Sequence, residues 1–261
     1  VDFFRKRHFG VHTKIIKPLG LFKGVTRKIN YKGFKIELQI EDWIQENIYF
    51  LGDYEKAELQ VLNRLLKPGA VFVDVGANFG LYSINAARIV EENGQIFSFE
   101  PFSQSFKALK RNMVNNNISQ IILENFAVGE KQGVLDLYYD PKSTNLGSVS
   151  STYLENGINE KVQVVALDDY FQHRDNLKIN MVKIDVEGFE HAVLLGMKNI
   201  LTEQRPILLI EVFEESREKI HRFLTSLGYQ KYYIDDSGCL SETEKNSNRM
   251  NFIYATLLPS D

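Results

Sequence analysis

Val71-Phe72-Val73-Asp74-Val75-Gly76-Ala77-Asn78-Phe79-Gly80 is the stretch on which the fold turns. A β-favouring run leads into a tight glycine turn, and Leu81 to Val90 continues as an amphipathic segment. Strand, turn and helix in that order form the unit that, in a doubly wound sheet, receives a nucleotide-like ligand. Gly76 and Gly80 predict a sharp turn and a close approach of backbone to ligand. Asn78 stands where many dinucleotide binders carry a glycine, and Asn tolerates left-handed backbone better than most residues.

The turn departs from the G-x-G-x-x-G pattern, because positions 78 and 81 are Asn and Leu. Asp74 precedes the first glycine by two residues. A carboxylate there repels a phosphate and suits a cationic ligand such as the sulfonium or ammonium of S-adenosylmethionine. The plainer reading of Asp74 is a cap on the following helix. About twenty residues beyond Gly80, Ser98-Phe99-Glu100-Pro101 ends a second strand in an acid, which can accept both ribose hydroxyls.

The chain has 261 residues, 44% of them hydrophobic, which suits one large α/β domain with a small extension. No apolar run reaches membrane-spanning length. No signal-peptide pattern is present, although the start at Val1 is consistent with trimming. The single cysteine, Cys239, excludes an internal disulfide and a cysteine zinc site and suits a cytoplasmic setting. Net charge is −3, yet eight basic residues oppose only Asp2 in the first 28 residues. This basic, aromatic-rich segment suits packing on the domain or on a second copy in a homodimer, or peripheral contact with an anionic membrane. Gly10 and Pro18 interrupt any helical stripe, which favours the packed reading.

Lys28 to Ile40 alternates as a hairpin around Tyr31-Lys32-Gly33-Phe34, Glu41 to Phe50 reads as a connector, and Asp53 to Leu66 reads as a helix. Strands are predicted over 95–100, 121–126, 133–139, 161–166, 180–185 and 206–212, with helices over 102–115, 189–201 and 214–227. Segments 229–234 and 251–257 make a closing pair. The expected domains are therefore an extension over residues 1–52 and a core over 53–261. The core is a Rossmann-like, mostly parallel seven-stranded sheet with an antiparallel C-terminal edge hairpin. Asp140 to Gly157, which includes Ser148 and Ser150, is a polar segment of the length that functional loops have. Ser148, Ser150 and Glu211 are candidates for acceptor binding.

A second constellation is Lys183-Ile184-Asp185-Val186-Glu187-Gly188-Phe189-Glu190-His191. Asp74, Glu100 and Asp185 all fall near strand ends on one edge of the sheet, where ligands of open sheets bind. Glu187 and His191 are four apart and share a face if the turn is helical. Methyl transfer to an alcohol needs in-line placement and a group that removes the hydroxyl proton. Glu187 is the first candidate base, Asp185 orients the acceptor or the amino end of the donor, and His191 is the alternative base. Asp185, Glu187, His191 and Glu211 could also ligate a metal, but their convergence is not readable from spacing, and no metal is expected.

With both stretches in hand, the chain resembles the FkbM family of S-adenosylmethionine-dependent methyltransferases. The likeness runs from about Tyr54 to Val212 and is carried by Phe72 to Gly80, Phe99-Glu100-Pro101, Asn125 to Gly129, Val165 to Tyr170, and above all Lys183 to Glu190 followed by Val193-Leu194-Leu195-Gly196. The resemblance implies a class I methyltransferase fold with S-adenosylmethionine as cofactor and S-adenosylhomocysteine as product. It implies that Asp74, Gly76 and Asn78 meet the methionine end, Glu100 the ribose, and Asn125 and Ala127 the adenine, with Ala77, Gly80, Pro101, Phe126 and Asp185 also binding the cofactor. It further implies O-methylation of a glycan or natural-product hydroxyl, with the weakly matching regions choosing the acceptor. Methylation of a peptide or protein carboxylate is the alternative and would not need Glu187 as base. A dinucleotide oxidoreductase is disfavoured by the missing glycines, and a non-catalytic scaffold by the intact acids. A nucleic-acid partner is disfavoured by an acidic core without a basic-aromatic platform.

Overall fold

A computed structural model describes residues 8, 10–16, 18–140, 157–174, 176–244 and 250–258. After a π-helical turn at His12–Ile16, strands β1 (Thr26–Tyr31) and β2 (Phe34–Gln39) form the expected hairpin, turning at Lys32 and Gly33, both at positive φ. The hairpin docks on helix α4 (Ser103–Val114) and the residues after it through two asparagines. The backbone N–H of Glu37 donates to Asn112 Oδ1 at 2.8 Å, and that of Lys35 to Asn116 Oδ1 at 2.7 Å. Between hairpin and core lie α1 (Trp43–Leu51) and α2 (Lys56–Leu65).

The core continues with β3 (Val71–Val75), α3 (Leu81–Val90), β4 (Gln95–Phe99), α4 and β5 (Ile121–Glu124). Strands β6 (Ala127–Val128), β7 (Gly133–Tyr139) and β8 (Ile158–Val165) pair with one another as a separate small sheet. Helix α5 (Leu167–Phe171) leads to β9 (Ile179–Ile184), α6 (Glu190–Leu195), α7 (Lys198–Glu203), β10 (Ile207–Glu211) and α8 (Glu214–Ser226). The chain closes with β11 (Gln230–Ile234), β12 (Leu240–Ser241) and β13 (Asn251–Ala255).

The main sheet runs β12-β11-β13-β10-β9-β3-β4-β5. Its five core strands are parallel, and β13 is antiparallel to both neighbours. The chain progresses from β3 outward to β5, then returns to build β9 and β10 on the other side of β3. That reversal is the topological switch point, where a crevice opens at the carboxyl ends. One buried cluster, containing Phe72, Leu62 and Leu109, covers one face of the sheet, and a second, containing Val73, Leu194 and Leu224, covers the other.

Three expectations need correction. Among the described residues the sheet has eight strands, because two-residue β12 joins the edge of the seven expected. The connector over 41–50 is a helix, capped by Asp42, whose side chain accepts from Gln45 N, and ended by Gly52 in left-handed conformation. Its polar Gln45, Glu46 and Asn47 are buried, so the apolar period that marks a helix is missing. The single helix over 189–201 is two. A Cβ on Gly196 would lie 1.9 Å from the Gly129 carbonyl oxygen, so this tight seat permits only glycine. Asp168 then caps the restart, accepting from Asn199 N and Ile200 N at 2.8 and 3.0 Å.

Candidate active site

A cavity of about 340 Å³ lies across the carboxyl ends of β3, β4, β9 and β10, with residues of β6 and β7 forming one wall. The glycine turn forms its floor, with Gly76, Asn78 and Gly80 all at positive φ. Four of the turn's N–H groups are taken up by the protein itself. Gly76 and Ala77 N–H both donate to the Phe99 carbonyl at 2.9 and 3.0 Å, Asn78 N–H to Glu100 at 2.7 Å, and Gly80 N–H to the Ala77 carbonyl at 2.9 Å. A pyrophosphate would need those N–H groups free. The glycines also answer to the protein rather than to a ligand. A Cβ on Gly76 would fall 1.8 Å from the Asp185 carbonyl oxygen, and one on Gly80 would fall 2.7 Å from Leu109 and Met113.

Glu100 sits one residue past β4 and faces the cavity. Its two oxygens accept from Asn78 N and Phe102 N at 2.7 and 2.8 Å. Asn125 Nδ2 donates to the Glu100 and Pro101 carbonyls at 2.8 and 2.9 Å, which holds that loop in place. Burial pushes the Glu100 carboxyl up to about 7, against the two N–H bonds that favour its charge. Phe99, Pro101, Phe102, Phe126, Ala127, Leu135 and Leu137 add an apolar wall.

The opposite wall is acidic and is built around one buried lysine. Lys183 Nζ lies 2.8 Å from Asp185 Oδ2 and 4.4 Å from the centre of the Tyr82 ring. Tyr82 O–H donates to Glu55 at 2.8 Å. Glu55, Asp185, Glu187 and Glu211 all line the cavity. Burial pushes Glu55 up to about 7. Burial, then Asp185 and Glu190, push Glu187 to about 7. Burial and the adjoining Asp185 push Glu211 to about 9. Burial would raise Asp185 too, but Lys183 and a hydrogen bond from Glu211 hold it below the ordinary carboxylate range. Burial also works against the Lys183 charge, but Asp185, Asp74 and Glu55 outweigh it and raise that ammonium group. Asp185 is therefore the fixed anion, Glu55 and Glu187 are poised to hold or release protons near neutral pH, and Glu211 keeps its proton there.

The structure brings Gly76, Asn78, Glu100, Pro101, Phe126, Ala127, Asp185, Glu187 and Glu211 to the cavity. Other expected residues lie elsewhere. Asp74 is fully buried behind the turn, where it accepts from Ser83 Oγ at 2.6 Å; it does not line the cavity. Ala77, Gly80 and Asn125 support the walls without lining them. His191 is not in the wall either, and its ring packs 5.7 Å from Phe223 of α8. Glu187 at φ 51° and Gly188 at φ 93° break the helical turn that would have joined Glu187 to His191. Ser148 and Ser150 lie outside the described residues. Among the described residues, no group of three or more His, Cys, Asp or Glu side chains is arranged to hold a metal ion. Sequence reading missed Tyr54, Glu55, Phe213 and Met250 of the cavity and the role of Lys183.

Residues 74–231, more than half of the chain, match the model of the methyltransferase FkbM domain. The chain belongs to the FkbM methyltransferase family. It has the class I methyltransferase fold. It is 27% identical over 159 residues to the hexuronic acid methyltransferase AglP of Haloferax volcanii, covering 60% of this chain and 62% of that one. It is 27% identical over 168 residues to the 2-O-methyltransferase NoeI of Sinorhizobium fredii, covering 58% and 66%. The match to the 31-O-demethyl-FK506 methyltransferase FkbM of Streptomyces tacrolimicus is 25% over 162 residues, covering 51% and 62%. The chain thus spans less than two thirds of these relatives' length. The crystal structure of methyltransferase FkbM from Methylobacillus flagellatus superposes with a TM-score of 0.49 at 16% identity, covering 82% of this chain and 60% of that chain.

Proposed function

We propose that this FkbM-family chain transfers a methyl group from S-adenosylmethionine to a hydroxyl of a small-molecule or glycan acceptor, with Glu187 as general base. The observation that carries this reading is Glu100, a carboxylate held by two backbone N–H groups with its face to the cavity, beside a turn whose Gly76, Ala77, Asn78 and Gly80 N–H groups are spent. Glu100 fits a ribose diol, and the apolar wall from Phe99 to Leu137 fits a flat purine. The acidic wall fits the positive charge of a sulfonium and an ammonium. The names of the relatives, a uronic acid and two O-methylations, support a hydroxyl-bearing acceptor.

When bound, S-adenosylmethionine supplies a methyl group already activated by its sulfonium. What remains for this chain is to place the acceptor, exclude water and take the hydroxyl proton. Glu187 suits the proton's removal, because it lines the cavity and its carboxyl titrates at about 7. Asp185, kept ionised by Lys183, orients a hydroxyl or the donor's amino group. Glu211, neutral up to about 9, donates a hydrogen bond from the side.

Glu187→Gln is expected to lower turnover by about 10²–10⁴-fold, the range of a general base, while S-adenosylhomocysteine binds as in the wild type. Calorimetry measures the binding, and transfer of radiolabelled methyl groups into an extract of the source organism measures turnover. Wild-type kcat should rise on an acid limb no higher than about pH 7. Unchanged turnover in the variant would instead favour a carboxylate acceptor, which needs no base. In a second test, Glu100→Ala is expected to weaken S-adenosylhomocysteine binding by at least about tenfold, the size of one charge-assisted hydrogen bond lost. Undiminished affinity in a folded variant would remove Glu100 from the ribose.

A further inference from the structure

The N-terminal segment shows its apolar side to solvent. Val11, Ile15 and Leu19 recur every four residues and are 43%, 47% and 68% exposed. The inward side is polar as well as apolar: His12 is buried with Ile16, His8 and His12 contact the buried Glu46 of α1, and His8 stacks on Trp43. The segment is therefore pinned by its histidines, and its stripe is what it displays. Phe22 packs 5.6 Å from Phe50, and Phe50 packs 4.9 Å from Tyr49, both at the exposed end of α1. The patch runs on through these rings.

Basic residues are interspersed with it along the chain. Lys14, Lys23, Arg27 and Lys28 are exposed on the same stretch. Among the described residues, Lys28 approaches Glu37 at 3.8 Å, Arg27 donates to the Thr26 carbonyl at 3.0 Å, and the nearby Glu41 accepts from Gly24 N–H. Eight basic residues against one acid give the first 28 residues a charge of +7, so the remainder of this −3 chain carries −10. A basic patch on an acidic body repels an identical patch on a second copy, which argues against a symmetric dimer here. Exposed apolar side chains interspersed with lysine and arginine match an anionic bilayer surface, where the chains enter the interface and the cations meet headgroup phosphates.

We propose that this face, formed by Val11, Ile15, residues 18–28 and the end of α1, docks on anionic lipid bilayers. The proposal stands apart from the methyl-transfer chemistry. Because α1 also carries Ile44 in the cavity wall, docking brings the cavity within about 9 Å along the helix of the inserted rings.

The test is co-sedimentation of the full chain with vesicles of phosphatidylcholine, alone or with about 30% phosphatidylglycerol. At low salt the anionic vesicles are expected to take up the protein at least about tenfold more strongly, with most of that preference lost in about 0.5 M salt as screening shortens to a few ångströms. Leu19→Ser with Phe50→Ser, and separately Lys14→Glu with Lys23→Glu, should each cut binding at least fivefold, while circular dichroism and S-adenosylhomocysteine affinity stay as in the wild type. Wild-type protein left in the supernatant with anionic vesicles would overturn the proposal. So would binding that neither variant weakens, or a dimer in sedimentation velocity that Leu19→Ser with Phe50→Ser dissolves.

Discussion

Lys183→Met is expected to destabilise the protein by about 3–5 kcal/mol at neutral pH, the cost of removing one partner from a buried ion cluster. In a domain of this size that is a fall in Tm of roughly 10 °C. Lys183 lies directly across from Asp74 in the β3–β9 register, bonds Asp185, and faces Glu55 through the field it shares with them. Methionine keeps the length of the stem but leaves three carboxylates without a cation. The pH dependence tells charge from packing. The folded Lys183 ammonium titrates above its unfolded value, so its contribution is complete below about 10.5 and is lost only as pH rises through the raised folded value. Across the neutral range the wild type keeps it in full. In the variant, Asp74 and Glu55, already raised by burial, are penalised wherever they would otherwise ionise. The difference between variant and wild type should therefore shrink towards pH 4–5 and widen towards pH 8. Urea denaturation across that range measures it; a difference that does not change with pH would mean that Lys183 matters only for the space it fills.

Lys183 and Asp74 also show where sequence reading stops. The strand-turn-helix unit is legible to the residue at Val71–Val75 and Leu81–Val90, because periodicity and the glycines act locally. The rim acids are legible where they stand at or beyond a strand's end, as Glu100 after β4 and Asp185 after β9 do. Asp74 lies one residue inside β3. Its neighbours Val73 and Val75 join one core cluster and Phe72 the other, so strand parity turns Asp74 onto the α3 face, against Ser83. A difference of one residue thus separates a rim ligand from a buried acid.

Other features have no local signal. Glu55 enters the cavity through partners 27 and 196 residues away, Tyr82 and Asn251. The need for glycine at 196 is set by the carbonyl of Gly129, one residue past β6 of the small sheet. Helical spacing alone joins His191 to Glu187, and the positive φ of Glu187 and Gly188 removes the helix that the spacing assumes.

Gly76→Ala should separate two meanings of the glycine turn. If Gly76 serves close approach to a ligand, alanine leaves the fold intact and costs only affinity. The geometry favours a different result. The new Cβ would sit 1.8 Å from the Asp185 carbonyl oxygen and 2.9 Å from its carbon, both backbone atoms of β9's exit. That backbone is held by the Asp185 N–H bond to the Val75 carbonyl at 3.0 Å, and Gly76 itself is tied to Phe99. Neither side can yield without parting β3 from β9 or from β4 where the cavity begins. At φ 82° alanine adds about 1–2 kcal/mol of left-handed strain, and overpacking of a rigid neighbour adds about 1–3 kcal/mol. The expected result is a loss of about 2–5 kcal/mol from these two effects together, seen as a Tm lower by roughly 10 °C or as insoluble protein. S-adenosylhomocysteine at saturating concentration should not restore the wild-type Tm. A variant that melts with the wild type yet no longer binds S-adenosylhomocysteine would return Gly76 to the ligand and show that the strand exits, not the cofactor, can give way.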